Sequence, residues 1–193
     1  MTFILGTAQF GLDYGINNPA GAVELSEIKR ILAACQAGGI NTLDTAILYG
    51  RSEEKLGQAG ITDWSVITKL PAIADDIKDI HQHWSHELLG SRRRLGVECF
   101  EAVILHRPAQ LFEGRGADIY SALQRLKAEG VLRKLGISVY GPQEALDIAS
   151  RFEIDLVQMP VSILDQRLFS SPFAAFAQEH RIEIHARSIF LQG

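Results

Sequence analysis

The sequence has few cysteines, no long apolar run and no excess of basic residues, and each absence narrows the class of protein. Only Cys35 and Cys99 occur among 193 residues, which fits a reducing compartment and predicts two buried thiols rather than a disulfide or a nucleophile. No stretch of about 18 apolar residues is present, so we expect no membrane span. The formal net charge of -4 gives no electrostatic reason to expect nucleic acid as a partner.

The amino terminus also lacks the features of a targeting segment. No basic residue precedes the apolar stretch in Met1–Gly11, so this stretch is interpreted as a first strand and the protein is expected to be cytoplasmic. The length fits one domain over residues 1–193, and the hydrophobic fraction of 47% is sufficient for a core.

Short apolar runs alternate with amphipathic helical patterns along the whole chain. Runs such as Ala102–Leu105 are continuously apolar, which is typical of parallel strands buried on both faces. The predicted strands are Phe3–Thr7, Asn41–Thr45, Ser65–Thr68, Ala102–Leu105, Lys134–Ser138, Leu156–Met159 and Ile182–Ala186.

Helix ends are predicted from the residues that favour them. Ser26 and Ser52 are predicted to cap two helices, and Pro142 and Pro172 are predicted in the first turns of two others. The helix after Ser26 has an apolar stripe, and two further helices are predicted from stripes of the same kind. The three stripes are Ile28, Ile31, Leu32 and Cys35; Ile77, Ile80, Trp84 and Leu88; and Ile119, Tyr120, Leu123 and Leu126.

The resulting order, six βα units and a seventh strand, allows a doubly wound sheet or a (β/α)8 TIM barrel. No GxGxxG motif follows a predicted strand, which argues against a dinucleotide-binding doubly wound fold. The barrel is therefore the favoured α/β fold. Because such barrels usually need about 250 residues, we expect an incomplete barrel with about seven of its eight strands.

Ionisable side chains stand at the ends of three successive predicted strands. Asp44 ends the second strand and Tyr49 follows it, Lys69 ends the third strand, and His106 follows the fourth. The carboxyl ends of barrel strands form one rim, where active sites lie. Each residue alone has an ordinary structural explanation, but together they are difficult to explain structurally.

This set suits the protonation of a carbonyl oxygen. An ammonium group stabilises a nearby phenolate, so Lys69, held in place by Asp44, would make Tyr49 a usable general acid. His106 would hydrogen-bond to a substrate oxygen and fix its direction.

Several motifs together resemble those of the aldo-keto reductase family, in particular a bacterial branch of it. They are N-T-L-D-T-A-x-x-Y-G (Asn41–Gly50), T-K-L (Thr68–Leu70), R-R-L-G (Arg93–Gly96), L-H-R-P (Leu105–Pro108) and the opening segment Gly6–Ile16. The resemblance covers the whole chain. It implies NADPH-dependent reduction of a small-molecule aldehyde or ketone, with Tyr49 as proton donor.

The same resemblance implies a set of cofactor-binding residues. Ser138 and Gln158 match the positions that bind the nicotinamide carboxamide, although Val139 stands where the family usually has asparagine. Arg187 stands where an aromatic residue often stacks on the nicotinamide ring. The segment after it resembles the start of the loop along the cofactor pyrophosphate, with Ser188, Phe190, Gln192 and Gly193 as binding residues.

The sequence predicts no metal site, because His81, His83 and His86 do not share one helix face. A barrel without its eighth strand would keep two open edges, so the chain alone is expected either to self-associate through them or to be poorly stable, and to bind NADPH weakly. Two alternatives to the reductase remain open. One is a catalytically silent, C-terminally truncated remnant or interaction protein that cannot hold NADPH. The other is a barrel enzyme that transfers protons without nicotinamide.

Overall fold

A computed structural model describes residues 2–16 and 18–191 as a seven-stranded parallel sheet surrounded by helices. Neighbouring strands follow chain order, β1 to β7, and every pair is parallel. The strands are β1 (Leu5–Gly6), β2 (Thr42–Asp44), β3 (Ser65–Leu70), β4 (Phe100–Leu105), β5 (Leu132–Ser138), β6 (Leu156–Pro160) and β7 (Glu183–Arg187).

The helices connect successive strands, as expected for parallel pairing. A short 3-10 helix at Pro108–Phe112 follows β4, and two helices lie between β1 and β2. The α-helices are α1 (Ala8–Gly11), α2 (Leu25–Ala37), α3 (Ser52–Ala59), α4 (Ile80–Leu95), α5 (Gly116–Ala128), α6 (Pro142–Ala149) and α7 (Pro172–His180).

The sheet is strongly curled, and one hydrogen bond demonstrates the curl. The Gln158 side-chain amide on β6 donates to the Asp44 carboxylate on β2 at 3.3 Å. In a flat sheet these strands would be four steps of about 4.8 Å apart. The fold is therefore the expected incomplete (β/α)8 barrel.

Alternate strand residues face two different apolar regions. The large cluster between sheet and helices contains Trp84, Phe100 and Phe173. A small inner cluster inside the curl contains Ile67, Ala102, Ile104 and Leu156. This division explains why the strand sequences are almost continuously apolar.

Several local predictions are corrected by the structure. Ser26 lies inside α2, which begins after Glu24, and Ser52 is the first residue of α3 and caps nothing. Lys69 does not end the third strand, which continues to Leu70. The two free cysteines are partly exposed rather than buried.

The predicted positions of two prolines are confirmed. Pro142 and Pro172 occupy the first turns of α6 and α7, where their missing N–H groups are tolerated.

None of the helices in the described parts of the chain is long and apolar enough to cross a membrane. Within residues 2–16 and 18–191, no group of three His, Cys, Asp or Glu side chains is arranged to hold a metal ion.

A buried carboxylate joins α3, β3 and α4. Glu53 on α3 accepts hydrogen bonds from the Thr68 hydroxyl at 3.1 Å and the Ser91 hydroxyl at 2.6 Å. Arg94 on α4 donates twice to the second oxygen, at 2.9 and 2.7 Å. Because Glu53 is only 2% exposed, its charge depends on these donors, and the donors depend on it.

We expect Glu53→Ala to lower the free energy of unfolding by about 3–5 kcal/mol, because it leaves buried donors and a cation without their partner. Urea unfolding measures this loss. The matched control is Glu54→Ala, since Glu54 is 46% exposed and pairs with Arg51 on the surface, where such pairs contribute about 0–1 kcal/mol. Equal losses in the two variants would contradict this account.

Candidate active site

Four ionisable side chains are placed together at the carboxyl ends of β2, β3 and β4. Asp44 is the last residue of β2, and Lys69 is the last but one of β3. Tyr49 lies in the loop between β2 and α3, and His106 directly follows β4. The strands pair in order, so these residues share one rim of the barrel, as the sequence predicted.

Asp44 and Lys69 form a buried ion pair at the centre of this rim. The Lys69 Nζ lies 2.6 Å from the Asp44 Oδ1 and donates to the Thr45 carbonyl oxygen at 2.9 Å. The Lys69 side chain is 1% exposed. A buried ammonium needs such partners to offset its loss of hydration, so Lys69 is not an ordinary surface lysine.

Tyr49 lies against both Lys69 and His106. The Lys69 Nζ is 4.9 Å from the centre of the Tyr49 ring, a distance typical of a cation–π contact. The Tyr49 and His106 rings meet edge to face, with centres 6.4 Å apart. The sequence led us to expect Lys69 within hydrogen-bonding reach of the Tyr49 hydroxyl; in the described residues it instead contacts the ring face.

His106 is held neutral by its surroundings. Partial burial of the ring lowers the pKa of His106, and the Lys69 ammonium and the Arg187 guanidinium lower it further, while Asp44 opposes them. The side chain remains exposed at the rim. Near neutral pH the imidazole is therefore uncharged and can donate one hydrogen bond through its N–H group.

Two glycines hold the loop that carries Tyr49. A side chain on Gly11 would place its Cβ 1.9 Å from the Tyr49 carbonyl oxygen, and one on Gly50 would lie 2.4 Å from the Gly11 carbonyl oxygen. Gly50 also has a φ of +54°, which glycine adopts without strain. Sequence reasoning placed both glycines in motifs but missed this contact, which brings α1 against the loop.

Ser138 and Gln158 lie deeper in the mouth. Both are buried, Ser138 at the end of β5 and Gln158 in the middle of β6, and they are paired with each other in the sheet. Gln158 donates to the Asp44 Oδ2 at 3.3 Å, so Asp44 contacts both Lys69 and Gln158. The sequence predicted both residues at the mouth but not this hydrogen bond across the barrel.

His185 is a site residue that sequence reasoning missed. It lies on β7 beside Gln158, and its Nδ1 is buried without a hydrogen-bond partner in the described residues. Burial lowers the pKa of His185, and Glu183 and Asp44 oppose this effect. Its position in an alternating strand pattern was the only available signal.

The predicted cofactor residues on β7 and beyond are only partly described. Arg187 is the last residue of β7 rather than a loop residue. Ser188 has a φ of +58° and begins a turn in which Phe190 is 76% exposed. The other two predicted positions, Gln192 and Gly193, lie outside the described residues.

The structure is thus a parallel βα barrel with a tyrosine, a buried lysine–aspartate pair and a histidine at its mouth. A model of the aldo/keto reductase family matches residues 2–193, and the chain belongs to this family. An uncharacterised oxidoreductase of Bacillus subtilis is 28% identical over 202 residues, covering 98% of this chain and 64% of that protein. The chain thus spans less than two thirds of the length of this relative.

Solved structures agree with this assignment. An aldo-keto reductase from Pseudomonas aeruginosa superposes with a TM-score of 0.76 at 27% identity, covering 94% of this chain and 70% of that one. An aldo/keto reductase from Klebsiella pneumoniae, solved with NADP and acetate, has a TM-score of 0.72 at 21% identity. The superposition covers 96% of this chain and 63% of the Klebsiella pneumoniae protein, and at this identity it supports the fold alone.

We expect Gly11→Ala to displace the Tyr49 loop and to lower the free energy of unfolding by about 1–3 kcal/mol, because the added methyl group overlaps a backbone oxygen. Urea unfolding gives the energy, and a crystal structure of the variant gives the displacement. Gly114→Ala is the control, since its Cβ would meet nothing within 4 Å. An unmoved loop with unchanged stability would refute this role of Gly11.

Proposed function

We propose that this chain carries the catalytic site for NADPH-dependent reduction of a small-molecule aldehyde or ketone, with Tyr49 as the proton donor. The observation that carries the proposal is the Lys69–Asp44 pair directly beneath the Tyr49 ring. Family membership supports carbonyl reduction in general.

In the proposed reaction, Tyr49 gives its hydroxyl proton to the carbonyl oxygen. Lys69 lies close enough to stabilise the phenolate that remains. Asp44 keeps Lys69 charged and in place. His106, neutral at the rim, donates a hydrogen bond to the same oxygen and orients the carbonyl.

Ser138 on β5 and Gln158 on β6 fit a carboxamide group. Among the described residues, Gln158 uses only its Nε2 atom and the Ser138 hydroxyl makes no hydrogen bond, so an acceptor and a hydroxyl remain available. We propose that these two groups bind the nicotinamide carboxamide of NADPH, which supplies the hydride when bound. The Klebsiella pneumoniae neighbour, which has the same fold, was solved with NADP.

We further propose that the segment after β7 borders the cofactor. Arg187 and Ser188 start this segment at the mouth, and the exposed Phe190 follows. Gln192 and Gly193, which lie outside the described residues, complete the proposed set.

Tyr49→Phe is expected to lower kcat for aldehyde reduction by about 10²–10⁴-fold, because it removes the general acid. NADPH affinity, measured by quenching of protein fluorescence, should change little, since the proposed cofactor contacts lie on β5, β6 and β7. Tyr14→Phe is the control, because Tyr14 is exposed and distant in sequence from the site.

Three results would argue against this function. Near-wild-type turnover of the Tyr49→Phe variant would exclude Tyr49 as the proton donor. Unquenched fluorescence in the unmodified chain would favour the catalytically silent alternative. Quenching without loss of NADPH absorbance in the presence of an aldehyde would exclude reduction of that substrate.

We also propose that the 193-residue chain, made alone, self-associates through its two edge strands. Within the described residues, β1 pairs only with β2 and β7 only with β6. Unpaired strand edges promote association. Light scattering across a protein dilution series should show a mass above 21.3 kDa that falls on dilution, and a monomer at all concentrations would refute the proposal.

A further inference from the structure

The side-chain amide of Gln158 has one hydrogen-bond partner in the described residues, and that partner belongs to the proposed proton-donor group. The Gln158 Nε2 donates to the Asp44 Oδ2 at 3.3 Å, across the barrel from β6 to β2. The other carboxylate oxygen of Asp44 accepts a hydrogen bond from Lys69 at 2.6 Å. One carboxylate is therefore shared between the proposed acid chemistry and a residue proposed to bind the cofactor.

The chemistry of a carboxylate decides which end of the Gln158 amide faces it. Asp44 is paired with an ammonium group, so its oxygens only accept hydrogen bonds. The two ends of a glutamine amide have nearly the same shape, but only the NH2 end donates. Turning the amide over would replace the hydrogen bond by a contact between the Gln158 Oε1 and a negatively charged oxygen, so the opposite orientation is disfavoured.

No other side chain in the described residues competes for this amide. Gln158 is paired in the sheet with Ser138 on β5 and with His185 on β7, and neither side chain is hydrogen-bonded to it. The His185 Nε2 instead lies 3.6 Å from Glu183. Because Gln158 is only 5% exposed, bulk water has little access to the amide, and Asp44 is the group that fixes its orientation.

We propose that Asp44 is a positioning residue for Gln158 as well as for Lys69, and that it holds the amide with its oxygen available to a ligand. Among the described residues the Gln158 Oε1 has no partner, and it is not one of the buried atoms that lack one, so it is open to the space in the mouth. The site therefore selects a ligand group that donates an N–H, as a primary carboxamide does, over a methyl ketone of the same shape. The inference rests on the proposed function, because it concerns the cofactor of the same site.

The test compares two cofactors, NADPH and its 3-acetylpyridine analogue, in which a methyl group replaces the carboxamide NH2. The two have the same charge, so the ratio of their affinities reports the lost N–H donor rather than the electric field of Asp44. The unmodified chain should bind NADPH about tenfold more tightly, the value of one hydrogen bond whose buried acceptor loses its partner. Calorimetric titration gives both dissociation constants without turnover.

Two variants separate the orientation of the amide from the ion pair. Lys69→Met removes the ammonium but leaves Asp44 to hold Gln158, so the tenfold ratio should remain. Asp44→Val/Lys69→Met also removes the acceptor, and apolar replacement of both members of a buried ion pair is often tolerated. The freed amide can then turn and donate to the acetyl oxygen, so the ratio should fall to about twofold or less. An unchanged ratio in the double variant would overturn the proposal, and the unmodified chain is the reference if Lys69→Met does not fold.

A cofactor-free measurement keeps this inference separate from the proposed function. In protein with isotope-labelled glutamine side chains, the nuclear magnetic resonance signals of the Gln158 NH2 group are identified by their loss in Gln158→Met. Their exchange with water should be about tenfold slower in Lys69→Met than in the double variant, because a hydrogen-bonded N–H is protected. Equal exchange rates would overturn the proposal even if NADPH binds. If the unmodified chain does not bind NADPH, the proposed function fails, whereas slow exchange that depends on Asp44 still supports the positioning role.

Discussion

The buried ion pair between Asp44 and Lys69 is the interaction on which the rest of the barrel mouth depends. A lysine that is 1% exposed tolerates burial only with close partners, and these come from strand β2 and the carbonyl oxygen after it. Gln158 on β6 donates a further hydrogen bond to the Asp44 carboxylate. The carboxylate that neutralises this ammonium therefore also links β2 to β6 across the curl of the sheet.

The outer face of β3 also helps to fix the loop that carries Tyr49. Thr68 precedes Lys69 and points to the opposite side of the sheet. There its hydroxyl donates a hydrogen bond to the Glu53 carboxylate. Glu53 belongs to α3, which begins just after the Tyr49 loop. The loop is thus anchored by Asp44 at its start and by Glu53 beyond its end, while Gly11 contacts its middle. Tyr49 is thus positioned by residues outside its own loop, which is how a loop residue can have a defined place.

The sequence predicted the features that follow from local patterns. All seven strands were located, because several of them are continuous apolar runs such as β4 and the others alternate with helical patterns. The rim residues followed from the strand ends. Helix caps were less predictable: Ser26 and Ser52 suit a cap, yet Ser52 instead donates its hydroxyl to the Thr7 carbonyl oxygen across the fold. The Gln158–Asp44 contact joins residues 114 positions apart. Contacts of this kind depend on the curl of the sheet, which no short pattern encodes.

The mouth contains two cations with different surroundings, and the difference separates their proposed roles. Lys69 is buried and neutralised by Asp44, so its charge acts on Tyr49 at close range without attracting distant anions. Arg187 is stacked on an exposed tyrosine and has no counter-ion in the described residues. The pKa of His106 is lowered mainly by burial and by Lys69, and the field of Arg187 adds to this effect. One cation thus acts on Tyr49 at short range, and the other acts on the His106 imidazole across the mouth.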